Sequence, residues 1–281
     1  MKRGALVVLA IAVAGCAGGA PRQPPPAPLP RVIALAPSLT EIAFAIGCGP
    51  ELVGDTTYDD YPPEARRVPH VADLVHADLE RIAALRPTIV LALHDEEREG
   101  APIAARLSIP IAYLPNRRLQ DLFADIAGVG AACGKPRQAA RLSADLQRRI
   151  RAAAAAAARS ASHPSVLYLV GLPGFVAGRD SYLNDVIKLA GGTNAAGGID
   201  APYPNLNAEA IVAADPDFVV ASNSFAFDQD VRGRPPWDAL RAVRAGRVLR
   251  PPNDSWLERD GPRLIDGLEW LERAIHQARG K

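Results

Sequence analysis

From Arg31 onward the chain alternates short apolar runs with amphipathic stretches closed by glycine or proline. Val32–Ala36 reads as a strand, Pro37-Ser38 as a turn and Thr40–Ile46 as a helix stopped by Gly47. The alternation continues through Leu52–Gly54 (strand), Asp78–Leu85 (helix), Ile89–Leu93 (buried strand), Ala101–Leu107 (helix), Ile111–Leu114 (strand) and Leu119–Ala132 (helix). After His163-Pro164 it starts afresh, with Val166–Val170 as strand, Leu172–Phe175 (LPGF) as turn and Leu183–Leu189 as helix. Phe218–Ala221 is a strand, Pro236–Leu240 opens a helix, Val248–Leu249 is a short strand and Pro262–Ala278 a terminal helix. Strands alternating with helices predict an α/β protein of doubly wound, three-layer lobes around parallel sheets.

Between the two series lies PRQAARLSADLQRRIRAAAAAAARS, rich in the strongest helix former. Some 25 residues rising 1.5 Å each predict a rod of about 37 Å. Two lobes joined by one bridging helix follow, with lobes over residues 31–134 and 163–281 and the bridge over 135–162.

One phrase is written in both lobes. Asp78–Ala92 reads DLERIAALRPTIVLA and Asn207–Ala221 reads NAEAIVAADPDFVVA, with Glu, Ile, Ala, Pro, Val and Ala at the same offsets. Each copy orders a capping residue, an acidic first turn, a short helix, a proline stop and an apolar strand. Glu80 and Glu209 therefore fall near the positive end of equivalent helices.

The first residues are of another kind. A cationic Met1-Lys2-Arg3, an apolar Ala5–Ala14 and small residues before Cys16 make a secretory leader over residues 1–15, too short to span a bilayer. Val13-Ala14-Gly15-Cys16 resembles the lipobox of bacterial lipoproteins, which implies acylation of Cys16; a plain secretory peptide with an incidental cysteine is the alternative. Residues 16–30, with PRQPPPAPLP, form an extended tether. Outside the cytoplasm Cys48 and Cys133, each following a helical segment, are candidates for a disulfide or for two buried thiols.

Composition narrows the function. With 281 residues, 48% hydrophobic and 22% charged, and a net charge of +1, the chain builds a real core and carries no massed cations for a nucleic acid. Phosphate-binding loops, nucleophile elbows, HExxH and paired-cysteine zinc spacings are missing from the sequence. Two lobes, a cleft and a leader point to capture rather than catalysis, with no cofactor of the protein's own.

Arg31–Gly47 (RVIALAPSLTEIAFAIG), Val53–Ala65 (VGDTTYDDYPPEA), the doubled phrase, the LPGF turn, Lys188–Asn194 (KLAGGTN), Tyr203–Asp217 (YPNLNAEAIVAADPD) and Ser255–Leu264 (SWLERDGPRL) together carry a resemblance. The chain resembles the helical-backbone (class III) substrate-binding proteins of ABC importers, and within them the cobalamin-binding branch. The match runs from about Arg31 to the C-terminus. YDDYPPEA with SWLERxxPR is the part particular to that branch.

The resemblance implies a monomer, lipid-anchored in the periplasm or at the cell surface, that carries cobalamin or a related corrinoid to a permease dimer with its ATPase subunits. It implies permease docking through Glu80 and Glu209, although an N-terminal glutamate also suits any helix. Ligand positions carried over are Pro37, Ser38, Tyr58, Leu74, Phe175, Tyr203 and Arg259. Aromatic faces suit a macrocycle, and an arginine fork suits amide carbonyls or a phosphate. Leu74 stands where the branch has tryptophan, and Ser255 where it has an acid. His76 is a candidate axial ligand to cobalt or haem iron, or else a solvated loop residue.

Haem or a ferric siderophore is the alternative cargo on the same fold. A different class of reading is a metallochaperone or chelate-processing enzyme using His76, His94 and the acids Asp95, Glu96 and Glu97. A long connecting helix predicts small lobe movements on binding.

Overall fold

In a computed structural model of the protein, residues 29–73, 76–94, 97–223 and 233–277 are described. The leader, Cys16, nearly all of the tether, Leu74, Asp95 and Glu96 lie outside the described residues. The first series comprises β1 (Val32–Ala34), α1 (Pro37–Ala45), β2 (Leu52–Thr56), β3 (His70–Ala72), α2 (Leu79–Leu85), β4 (Ile89–Leu93), α3 (Glu97–Leu107), β5 (Ile111–Leu114) and α4 (Asp121–Ala132). The helix α5 (Pro136–Ala157) leads to β6 (Ser165–Gly171), β7 (Phe175–Val176), α6 (Tyr182–Leu189), β8 (Thr193–Asn194), α7 (Ala208–Ala214) and β9 (Phe218–Ala221). The chain ends through α8 (Arg241–Arg244), β10 (Val248–Leu249), α9 (Ser255–Glu258) and α10 (Leu264–Gln277).

The first sheet is parallel with order β3-β2-β1-β4-β5. In the second, β10, β9, β6 and β8 run parallel and β7 folds back antiparallel on β6 through the LPGF turn. That hairpin departs from the all-parallel expectation; three residues between strands suffice only for an antiparallel return.

Strand side chains divide by parity between cores. In β1 and β4, Ile33, Val90 and Ala92 pack with Ile82 of α2 and Ile103 of α3 on the outer face of the first sheet. On the outer face of the second, Leu167, Leu169, Val219 and Ala221 pack with Ile211 of α7 and Trp237. The opposite residues of both sheets, among them Val32, Leu91, Val166, Phe218 and Val220, belong to one continuous core. Helices α1, α4, α5, α6 and α10 contribute Leu39, Ile126, Leu146, Val186 and Leu268 to it. Period-two alternation on strands that are covered on both faces explains why the runs look uniformly apolar.

The long α5 is 22 residues, about 33 Å, and ends earlier than expected. It buries Ala139, Leu146, Ala153 and Ala157 along one side, and it packs on α4 and α10. Arg149 bridges from α5 to Asp266 and Glu269 of α10 at 2.5 and 2.8 Å. The connecting helix is therefore a wall of the shared core and not a free rod. Cys48 and Cys133 form a disulfide with Cα atoms 6.0 Å apart, joining the chain just past α1 to the chain just past α4.

The two halves are also bolted by charge. Glu41 of α1, 3% exposed, accepts from Arg263 Nε at 2.9 Å and Nη2 at 2.5 Å and from Arg259 Nη1 at 3.0 Å. Arg259 further donates to Asp60 Oδ1 at 2.7 Å and to the Tyr58 carbonyl at 3.1 Å, and Arg263 stacks over Tyr61 at 3.9 Å. Gly261 lies between them, where a Cβ would come 3.3 Å from Glu41 and 3.4 Å from the Ser38 backbone. The close approach leaves no comfortable room for a side chain. Farther along, Arg118 grips Asp185 of α6 with two bonds of 3.0 and 2.6 Å.

A like-charge contact sits in the same seam. Asp125 of α4 is 1% exposed, and its Oδ1 has no hydrogen-bond partner among the described residues. Burial, reinforced by Asp260 and Asp121, pushes its carboxyl up to about 8 from 3.8.

Two stability predictions follow from the seam. Glu41→Ala strips Arg263 of both its carboxylate bonds; urea unfolding is expected to show a loss of about 3–5 kcal/mol, as for other broken buried pairs. A loss within error of zero would mean water takes the carboxylate's place. Asp125 binds a proton in the folded state that it releases when unfolded, so its contribution is full below pH 3.8 and declines as pH rises towards about 8. Asp125→Asn is expected to flatten that decline, seen as urea midpoints at pH 8.5 closer to those at pH 5 than in the parent protein.

Candidate functional site

At the carboxyl ends of β4 and β5 the first sheet faces the second half across a cavity of about 680 Å³. Crevices beyond the carboxyl ends of parallel strands are the usual ligand sites of open α/β sheets. Leu93 and His94 reach it from the end of β4, Glu97 from the start of α3, and Pro115, Asn116 and Arg117 from the loop after β5. Asp121 begins α4 beside them and accepts from the Arg117 and Arg118 backbone N–H groups at 3.0 and 2.8 Å, which holds the loop.

The facing wall is built by Ser181, Tyr182, Pro202, Tyr203, Glu258 and Asp260. Ser181 caps α6, its Oγ accepting from Asn184 N at 3.2 Å and donating to the Gly178 carbonyl at 2.9 Å. Tyr182 is buried and donates to the Leu257 carbonyl at 3.1 Å. Tyr203 rides on a segment strapped to β7, with Val176 N donating to Pro204 O at 3.0 Å, Gly178 N to Pro202 O at 2.9 Å and Leu206 N to Gly174 O at 2.9 Å. At Gly178 a Cβ would sit 2.1 Å from the Ala201 carbonyl, so the strap requires glycine there. A second cavity of about 360 Å³, lined by Tyr168, Val170 and Leu183, shares Tyr182, Tyr203 and Glu258 with the first.

Electrostatically the main cavity is acidic. Glu97, Asp121, Glu258 and Asp260 line it against Arg117 and the imidazole of His94. Burial in the second half holds the phenols of Tyr168 and Tyr182 well above their usual range, so both are neutral at any physiological pH. Among the described residues no cluster of His, Cys, Asp and Glu could hold a bare metal ion. No described helix is long and apolar enough to cross a membrane.

The residues singled out in the sequence are dispersed by this geometry. Tyr203 is on the cavity wall. Pro37 starts α1 and Ser38 is buried in the seam against Gly261. Tyr58 and Phe175 expose 47% and 42% of their surfaces, so both remain available to a large ligand. Arg259 has its guanidinium bonded to Glu41, Asp60 and the Tyr58 carbonyl, while its neighbours Glu258 and Asp260 line the cavity. His76 is solvated, its side chain 83% exposed with Asp73 at 3.9 Å. His94, by contrast, faces the cavity.

Sequence reasoning missed Arg117, Ser181, Tyr182, Glu258 and Asp260 as wall residues. Glu258 and Asp260 lie inside SWLERDGPRL, flanking the arginine that was chosen instead. Arg117 was findable as the cation after a strand's carboxyl end.

Glu80 and Glu209 are both exposed in the first turns of α2 and α7. Asp78 and Asn207 cap these helices, each accepting at 2.9 Å from the backbone N–H three residues on. Both helices close on residues with positive φ, Arg86 at 45° and Asp215 at 24°. The two copies of the phrase thus agree in cap, turn and exit.

Residues 32–254 match the model of the periplasmic binding protein family. A vitamin B12-binding protein of Pectobacterium carotovorum is 32% identical over 242 residues, spanning 84% of each chain. A periplasmic haem-binding protein of Roseiflexus superposes with a TM-score of 0.79 at 28% identity over 89% of this chain and 99% of that one. The periplasmic vitamin B12-binding protein of Vibrio cholerae superposes at 0.77 with 26% identity over 90% and 99%. With two α/β halves, a walled cavity between them and a family match over most of its length, the chain belongs to the periplasmic binding protein family, and it is a binding protein, not an enzyme.

Proposed function

We propose that this protein captures cobalamin or a related corrinoid in the cavity between its halves and delivers it to the permease of an ABC importer. The observation that carries the choice of cargo is the charge of the wall, on which four carboxyl side chains stand against one guanidinium among the described residues. A corrinoid is fringed with amides whose N–H groups donate to carboxylates, and its cobalt centre is cationic. An anionic siderophore or the propionates of haem would meet repulsion from the same groups. The vitamin B12-binding relatives support the same cargo. Haem is the second reading, supported by the haem-binding neighbour in fold.

Tyr203 and Tyr182 supply flat apolar area with polar tips, and Tyr58 and Phe175 add exposed rings for the rest of a macrocycle. The two cavities share Tyr182, Tyr203 and Glu258, an adjacency that suits a corrin with its side arm. Ligand binding breaks no covalent bond of the cargo. The shared core and the ion pairs of the seam resist wide opening, so affinity rests on a pocket that is largely preformed.

Delivery is assigned to Glu80 and Glu209. Equivalent helices in the two halves display one carboxylate each, which suits a permease built of two matching subunits with cationic sockets. A groove of about 620 Å³ lined by Val212, Pro235, Pro236 and Ala239 adjoins Glu209 and gives that side apolar area besides charge. In this reading the monomer works in the periplasm, with acyl-Cys16 and the proline-rich tether holding it to a membrane.

Two experiments test the proposal. Titration calorimetry of the purified protein with cyanocobalamin and cobinamide is expected to give Kd values of about 1 µM or below, with haemin weaker. Tyr203→Ala should weaken both corrinoids by about tenfold. Corrinoids that release no binding heat, with tight haemin binding, would transfer the site to haem. For docking, Glu80→Ala with Glu209→Ala is expected to reduce stimulation of the permease's ATPase while corrinoid affinity stays within about twofold of the parent; a matching fall in affinity would mean that these carboxylates serve the pocket.

A further inference from the structure

His94 differs from the other histidines in its placement. It follows β4 directly and lines the main cavity with Glu97, one helical turn away. Its Nδ1 lies 3.0 Å from Glu97 Oε1. A carboxylate only accepts, so Nδ1 carries a proton, and the tautomer this bond selects is the one whose lone pair lies on Nε2. The ring is also stacked on Tyr113, centroids 6.4 Å apart and planes 16° from parallel. Tyr113 in turn lies against Gly100 of α3, where a Cβ would meet its hydroxyl at 2.5 Å. A carboxylate that fixes the tautomer and an aromatic ring that fixes the plane are the supports a metal-binding imidazole ordinarily has.

No group of ligands for a bare ion accompanies it among the described residues. A single imidazole suits a metal whose remaining positions are already filled. Resting on the corrinoid reading above, we propose that His94 Nε2 is an axial ligand to the cobalt of a corrinoid that arrives with an exchangeable water, with Glu97 as the positioning residue. The Nε2 lone pair forms the cobalt–nitrogen bond as water leaves with the electron pair of the bond it breaks; the metal's oxidation state and the proton on Nδ1 do not change. A corrinoid whose axial positions are already closed, such as cyanocobalamin, is bound by the walls alone. His94 thereby distinguishes corrinoids by the state of their upper face, which His76, outside the cavity wall and solvated, does not do.

The test is a visible-spectrum titration of the full mature protein with aquacobalamin and, separately, cyanocobalamin. In the parent protein aquacobalamin bands are expected to shift on binding and cyanocobalamin bands to stay in place. His94→Ala should abolish the shift and weaken aquacobalamin at least tenfold more than it weakens cyanocobalamin; Glu97→Gln should weaken aquacobalamin about tenfold with the shift retained. His76→Ala should behave as the parent. Circular dichroism and the melting temperature of each variant verify folding, which an exposed side chain such as His94 does not govern. An unchanged aquacobalamin shift in His94→Ala overturns the ligation and leaves the corrinoid reading standing. Binding of neither corrinoid by the parent overturns both. A haemin Soret shift lost in His94→Ala, without corrinoid binding, overturns the cobalt assignment and gives the imidazole to iron.

Discussion

A buried carboxylate holds this protein's two halves together. Glu41 leaves water on α1 and is compensated, among the described residues, by two arginines from the last stretch of the chain. The cost of removing three charges from water is offset when every bond is made, so the loop that brings Asp60 and Tyr61 must be in place as well. Residues 57–62 are in turn tied back by Asp59, which accepts from Thr56 N at 2.9 Å and from the Thr56 hydroxyl. The stretches YDDYPPEA and SWLERDGPRL are therefore one device. They look like separate ligand signatures in the sequence, yet Arg259 and Arg263 of the second meet Asp60, Tyr61 and the Tyr58 carbonyl of the first.

That device decides what the cavity is made of. With Arg259 and Arg263 turned to Glu41, the residues between and beside them, Glu258 and Asp260, are left for the cavity wall. Cations are drawn into the seam and carboxylates are displayed beside it. The same segment that closes the halves gives the pocket its acidity, and the mixed sheet contributes through β7, whose backbone carries the strap with Tyr203.

Fold was more legible than site. Ile89–Leu93, Ile111–Leu114, Phe218–Ala221 and Val248–Leu249 were bounded to the residue, because strands covered on both faces are short apolar runs ended by turn residues. The strands His70–Ala72, Phe175–Val176 and Thr193–Asn194 were not seen; each is two or three residues long and owes its extension to a neighbouring strand, not to its own composition. Helix α3 starts at Glu97 and not at Ala101, and it carries Pro102 in its interior, where a proline reads from sequence as a boundary. Glu80 and Glu209 were legible because caps are local. The pairing of Arg259 with Glu41 was not legible because the two are 218 residues apart, and a long-range ion pair leaves no mark on nearby spacing. His94 was in view but undistinguished until the structure put Glu97, Tyr113 and the cavity around it.

The disulfide has a topological consequence. Cys48 and Cys133 close a covalent ring of the intervening chain, which contains the rest of the first sheet after β1, the loop of Tyr58, and His94 with its supports. A single cut by a protease anywhere inside that ring leaves one covalently continuous molecule, with the new ends unable to drift apart farther than the ring allows. Residues outside it, the strap with Tyr203 and the segment with Glu258, have no such tie. Nicking therefore has unequal effects on the two walls of the same cavity: on the first it is a wound that stays closed, on the second a severance.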